Sequence, residues 1–184
     1  MSLAKHFRRA LILGGARSGK SRYALDLADT FPPPRLYMAT AEAGDEEMAA
    51  RIAQHRRERG EGWDTVEAPL DLTGALGRAQ ERYQVILVDC LTLWLSNWLL
   101  REGDRAEIQR VCRELTTVVE NTSTPTILVS NEVGWGIVPE NPLAREFRDR
   151  AGWLHQLLAA AADLVVLLVA GLPLIVKSAH GKGE

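Results

Sequence analysis

Much is scarce in this chain, and each scarcity excludes something. Two cysteines in 184 residues are too few for a disulfide framework, so Cys90 and Cys112 read as free thiols. Cys90 ends a very apolar run and is expected to be buried, and a reducing cytoplasm is the expected compartment. No cysteine–histidine spacing suits zinc. Neither sign of charge prevails, with 22 Lys and Arg against 24 Asp and Glu, and aromatic residues make up only 6%. Nucleic-acid binding wants a basic stripe and stacking rings, so no nucleic-acid partner is expected. Residues 1–10 are basic but lack the apolar stretch and cleavage site of a secretion signal. The one long apolar run, Leu157 to Val176, contains Asp163 and is broken by Gly171 and Pro173. It reads as a helix end, a buried strand and a turn, with no membrane span.

What is present is ordinary globular material, 46% hydrophobic and 25% charged, in a chain long enough for one sizeable core. A single domain is expected over 11–177, with an N-terminal extension at 1–10 and a tail at 178–184. Short apolar runs alternate with helical patterns. Strands are expected at Leu11–Leu13, Leu36–Ala39, Val85–Asp89, Thr126–Ser130 and Leu164–Val169, with a short edge strand at Trp63–Glu67. Helices are expected at 19–29, 45–59, 72–83, 91–100, 106–120 and 143–161. Leu174 to Val176 is expected to pair back after a turn at 171–173. Continuous apolar strands separated by helices define an α/β fold: a mostly parallel sheet with helices on both faces and a C-terminal antiparallel edge strand.

Gly14-Gly15-Ala16-Arg17-Ser18-Gly19-Lys20-Ser21 matches G-x-x-x-x-G-K-S, with a strand before it and a helix after it. Glycine lets the backbone turn and bring its N–H groups close to phosphate oxygens. The following helix aims its positive end at the same anion. Lys20 supplies a charge to the terminal phosphates, and the Ser21 hydroxyl is a candidate Mg2+ ligand. Asp89 ends the run 85–88 at the carboxyl edge of the sheet, where α/β ligand sites lie, and is the second candidate for the metal. An exposed strand-end acid is its plain alternative.

On the expected helix 45–59, His55 stands one turn after Arg51 and one turn before Arg59. Neighbouring positive charge disfavours imidazolium, which suits a neutral nucleophile toward phosphorus. From spacing alone, a solvated basic face with an idle histidine is the more ordinary reading. His6, His155 and His180 have no partner pattern and read as structural or surface residues. Trp94 and Trp98 read as core, with a ligand or subunit contact as the alternative. Asn131 and Glu132, in a glycine-containing loop at the catalytic edge, either orient an attacking group or cap the strand.

Several segments together carry a family resemblance: 14–21, Tyr37-Met38-Ala39-Thr40, residues 47–52, His55-Arg56, Trp63, the stretch 131–141 and Ala160-Ala161-Ala162-Asp163. From about Leu11 to Lys177 the chain resembles the bifunctional adenosylcobinamide kinase / adenosylcobinamide-phosphate guanylyltransferase family of cobalamin biosynthesis. The resemblance implies a P-loop NTPase with a RecA-like sheet that phosphorylates adenosylcobinamide. It then transfers GMP from GTP through a guanylylated histidine, here His55, giving adenosylcobinamide-GDP. It further implies nucleotide contacts at Ala39, Thr40, Ala41, Arg56, Arg57, Glu58, Arg59, Glu67 and Asp89, the use of GTP, ATP and Mg2+, and a homotrimer. Where family members can carry two adjacent histidines, this chain has Gln54 before His55. Two other readings remain open from the residues: an unrelated P-loop small-molecule kinase with His55 a bystander, and a RecA-like motor acting on nucleic acid.

Overall fold

A computed structural model describes residues 7–41, 60–101 and 104–178. The expected helix 45–59 lies outside the described residues. Seven strands form one sheet: β1 (Arg9–Gly14), β2 (Arg35–Ala39), β3 (Trp63–Glu67), β4 (Val85–Asp89), β5 (Thr126–Asn131), β6 (Leu164–Val169) and β7 (Leu172–Ser178). Their spatial order is β3-β2-β4-β5-β1-β6-β7. All pairs are parallel except β6–β7. The helices are α1 (Lys20–Ala28), α2 (Leu72–Ala79), α3 (Leu91–Arg101), α4 (Arg105–Glu120) and α5 (Pro142–Ala161).

The inner strands are apolar throughout because both of their faces are covered. Leu11, Leu36, Met38, Ile86, Val88, Leu128 and Val165 point to one face and pack beneath α2, α3, α4 and α5. Ile12, Tyr37, Leu87, Val129 and Val166 point to the other and meet α1 through Ala24, Leu27 and Ala28. Trp94 is fully buried in the first layer, and its indole N–H donates to the Leu70 carbonyl at 2.9 Å. Trp98 is half-buried against the same layer, so the core reading of this pair holds.

Helix starts follow their capping residues. Asp71 accepts from Gly74 N–H, Asp104 from Ala106 N–H, and Asn141 from Leu143 and Ala144 N–H ahead of Pro142. Each such cap is worth about 1 kcal/mol. Helix α2 is shorter than the expected 72–83. Gln80 leaves the helix with ψ 142 and Glu81 takes φ 64. The Gln80 carboxamide oxygen instead accepts from Thr122 Oγ1, Ser123 N–H and Thr124 N–H, tying this corner to the loop before β5.

Strand β7 is longer than expected, because the turn is only Ala170–Gly171, with φ 51 and 81. Two positive φ values are what a two-residue hairpin needs. Leu172 and Pro173, expected in the turn, are already in the strand.

Strand β1 begins at Arg9, and Phe7 is buried beside Phe31, so part of the segment 1–10 is core. Arg9 forms an ion pair with Asp163 at 2.8 Å, and the same carboxylate accepts from Arg8 and Arg9 N–H. Burial pushes the Asp163 carboxyl up, but these bonds outweigh it and hold the group below its ordinary range. A depressed carboxylate stabilises the fold above the ordinary carboxylate range, and that contribution fades as pH falls toward the folded value. Arg9→Ala is therefore expected to begin acid unfolding at a higher pH than the wild type, read by circular dichroism. An unchanged acid transition would show that the two backbone donors suffice.

Candidate active site

The turn after β1 is shaped by what it excludes. A Cβ on Gly14 would lie 2.4 Å from Ser18 Oγ and 2.8 Å from the Leu168 carbonyl. Gly19 sits at φ 91, in the left-handed region that glycine adopts without strain, and directly precedes α1. Gly15, Ala16, Arg17 and Gly19 are exposed at the rim, whereas Ser18 and Lys20 are buried. Lys20 opens α1 and donates from Nζ to the Gly15 carbonyl at 3.1 Å, folding its ammonium back over the loop. A glycine turn, the start of a helix and an ammonium folded over the turn are thus brought together, and these are the parts of a phosphate cradle.

Both flanks of the loop are tied down. On one side, Gly171 N–H in the β6–β7 turn donates to the Ser18 carbonyl at 2.9 Å. A Cβ on Gly19 would come within 3.3 Å of Gly171 Cα. On the other side, Glu132 N–H donates to the Gly14 carbonyl at 3.0 Å. Sequence reasoning missed the Gly171 contact. Its only local signal was a glycine in a turn, and the partner lies at the opposite end of the chain.

Beyond β5 along the same edge stands Asp89. Its neighbours in register are Ala39 on β2 and, beyond that, Glu67 on β3. Three of the expected nucleotide-contact positions therefore form a row. Asp89 is half-buried and accepts a hydrogen bond from the Tyr37 hydroxyl at 3.3 Å, while Glu67 is exposed. Four strand spacings separate Glu67 from β1, or about 19 Å.

Thr40 locks this row. Its hydroxyl donates to the Cys90 carbonyl at 2.6 Å and accepts from Cys90 N–H at 2.8 Å. Asn97 bonds the Thr40 carbonyl from α3, and Ala41 follows, half-buried. Cys90 and Cys112 are both buried free thiols. Burial pushes the Cys90 thiol up, Asp89 adds to this, and the Lys20 charge opposes it. A thiol held up in this way is no nucleophile near neutral pH.

The expected metal ligands, Ser21 on the first turn of α1 and Asp89, are oxygen donors at this edge. Among the described residues no cluster of three His, Cys, Asp or Glu could hold a metal. Magnesium keeps several waters and takes one or two protein oxygens beside its phosphates, so it suits such a sparse set. His55, Arg56, Arg57, Glu58 and Arg59 lie outside the described residues.

The strand–loop–helix cradle, with an acid-bearing strand two places away across β5, defines a P-loop nucleotide-binding protein with a RecA-like sheet. Residues 10–176 match the family model described as cobinamide kinase / cobinamide phosphate guanyltransferase, and the chain belongs to that family. It is 47% identical over 175 residues to the bifunctional adenosylcobalamin biosynthesis protein CobP of Pseudomonas aeruginosa, covering 92% of this chain and 97% of that one. With the bifunctional adenosylcobalamin biosynthesis protein CobU of Salmonella typhimurium it shares 41% over 179 residues, 91% of this chain and 98% of the relative. A solved structure from Pyrococcus horikoshii OT3 superposes with a TM-score of 0.53 at 10% identity, covering 95% and 88% of the two chains. That likeness concerns the fold alone. Among the described residues no helix is long and apolar enough to cross a membrane.

Proposed function

We propose that this protein phosphorylates the hydroxyl of adenosylcobinamide with a nucleoside triphosphate. It then transfers GMP from GTP to the resulting phosphate through guanylylated His55, releasing pyrophosphate and giving adenosylcobinamide-GDP. The supporting observation is a formed phosphate cradle, Gly14 to Ser21, at the start of a chain that matches the family over nearly its whole length.

The cradle's N–H groups and Lys20 bind and orient the terminal phosphates, so in-line attack becomes a matter of placement. Ser21 and Asp89 would hold Mg2+, which when bound neutralises charge on the phosphate oxygens. A kinase of alcohols has no use for a nucleophilic histidine, but a double-displacement nucleotidyl transferase does. A neutral His55 nitrogen attacks the α-phosphorus of GTP, and pyrophosphate leaves. A phosphate oxygen of the substrate then displaces the imidazole from phosphorus. Ala39, Thr40, Ala41, Glu67 and Asp89 form a row along the same sheet edge that extends away from the cradle and is proposed to contact nucleotide, with Arg56, Arg57, Glu58 and Arg59 contributing after the histidine.

The exposed β7 edge carries Leu172, Leu174, Ile175 and Val176, with Val169 nearby. An apolar strand edge left open favours association, which supports a homo-oligomer, a trimer by family likeness. Two buried free thiols agree with a reducing, cytoplasmic setting.

Incubation with GTP, Mg2+ and adenosylcobinamide, followed by mass analysis, is expected to show adenosylcobinamide phosphate and then adenosylcobinamide-GDP. The protein is expected to carry an acid-labile GMP adduct during turnover. No corrinoid product, or product without any adduct, would contradict this scheme.

A further inference from the structure

The two proposed transfers differ in one chemical requirement. An alcohol must lose a proton as it attacks phosphorus, whereas a phosphate monoester is largely ionised near neutral pH. Only the phosphorylation step therefore needs a proton acceptor. Neither Lys20, a cation, nor Asp89, assigned to the metal, supplies it, and His55 is reserved for the second transfer.

Glu132 stands where an acceptor is wanted. It follows β5, the strand between the cradle strand and the Asp89 strand, and its N–H holds the Gly14 carbonyl. Its carboxylate is 21% exposed, open to solvent at the catalytic edge. One oxygen accepts from Gly134 N–H at 2.7 Å. The other lies 3.9 Å from His155 Nδ1, within the ion-pair range but too far for a hydrogen bond.

His155 is unusual for a histidine with no sequence pattern around it. It is buried on α5, and its Nε2 is 2.7 Å from Ser130 Oγ, itself fully buried. Its Nδ1 is buried with no hydrogen-bond partner and faces the Glu132 carboxylate. Burial holds the imidazole below its ordinary pKa, against the pull of Glu132. A neutral ring accepting from the Ser130 hydroxyl at Nε2 carries its proton on Nδ1, pointed at the carboxylate. Ser130, His155 and Glu132 thus form a chain with one gap, and catalytic hydrogen bonds are often long before substrate arrives.

Resting on the functional reading above, we propose that Glu132 accepts the proton of the substrate hydroxyl in the phosphorylation step, and that His155, anchored on Ser130, positions its carboxylate. As the hydroxyl oxygen bonds to the γ-phosphorus, its proton passes to a Glu132 oxygen. The bond from that phosphorus to the β,γ-bridging oxygen breaks, and the nucleoside diphosphate leaves. Glu132 then returns the proton to water.

The test runs the two reactions apart: phosphorylation of adenosylcobinamide, and GMP transfer to adenosylcobinamide phosphate prepared beforehand. In Glu132→Gln, kcat for phosphorylation is expected to fall by about 100-fold, with KM for the nucleotide moving less than about threefold. GMP transfer, which needs no base, is expected to fall less than about fivefold by the same logic. Glu132→Asp keeps the charge on a shorter arm, should fall between, and carries the same comparison if the glutamine variant does not fold. His155→Ala is expected to lower the same kcat by about tenfold, and His155→Asn, which restores an N–H donor, to recover most of it. Phosphorylation within about threefold of wild type in Glu132→Gln, or equal loss of both reactions, overturns the assignment. A wild-type protein that phosphorylates no corrinoid alcohol would instead sink the functional reading, and this role with it.

Discussion

Lys20→Ala is expected to lower phosphorylation and GMP transfer together, each by about a thousandfold in kcat/KM. Lys20 is buried, opens α1 and folds its ammonium over the loop onto the Gly15 carbonyl. Both proposed transfers use a triphosphate, whose terminal oxygens carry the charge that this ammonium is proposed to offset. Charge placed in advance in a largely desolvated site costs no reorganisation during the reaction. Lys20→Arg is expected to rescue little, because a broad planar guanidinium cannot take the path of a compact ammonium through a tight loop. Steady-state kinetics on each reaction, with circular dichroism to establish folding, decide the matter. Loss of one activity alone would mean that the two reactions use different phosphate sites.

His55→Ala should separate what Lys20→Ala removes together. Without its nucleophile, GMP transfer is expected to fall by at least about 10⁴-fold, while phosphorylation stays within about tenfold of wild type. Supplied with GTP and adenosylcobinamide, the variant should therefore accumulate adenosylcobinamide phosphate and carry no GMP. Chromatography of the corrinoid products reads this directly. If both activities vanish alike, His55 has a shared binding role; if neither does, another residue is the nucleophile.

Where the sequence was legible, local chemistry was decisive. Strands β1, β2, β4, β5 and β6 could be read because burial on both faces leaves uninterrupted apolar runs. The cradle could be read because its glycines, lysine and serine are contiguous and need only the strand before and the helix after. Helix α2 ends at Ala79, short of the expected 72–83, although the sequence pattern continues. What ends it is Gln80 reaching across to the loop at 122–124, a tertiary bond with no sequence signature. His155, expected as a structural or surface residue, is buried as a structural one would be; its meeting with Ser130 on β5 and Glu132 just beyond it exists only in the folded protein and has no sequence signature. The reading of His55 as nucleophile came from family likeness, as spacing alone could not distinguish it from a solvated basic face.

The turn joining β6 to β7 ties an exposed apolar edge to the candidate site. One amide, from Gly171 to Ser18, connects that strand to the loop proposed to hold phosphate. If copies of this chain associate through that strand, any change that association makes in triphosphate affinity is matched by an equal change that triphosphate makes in association.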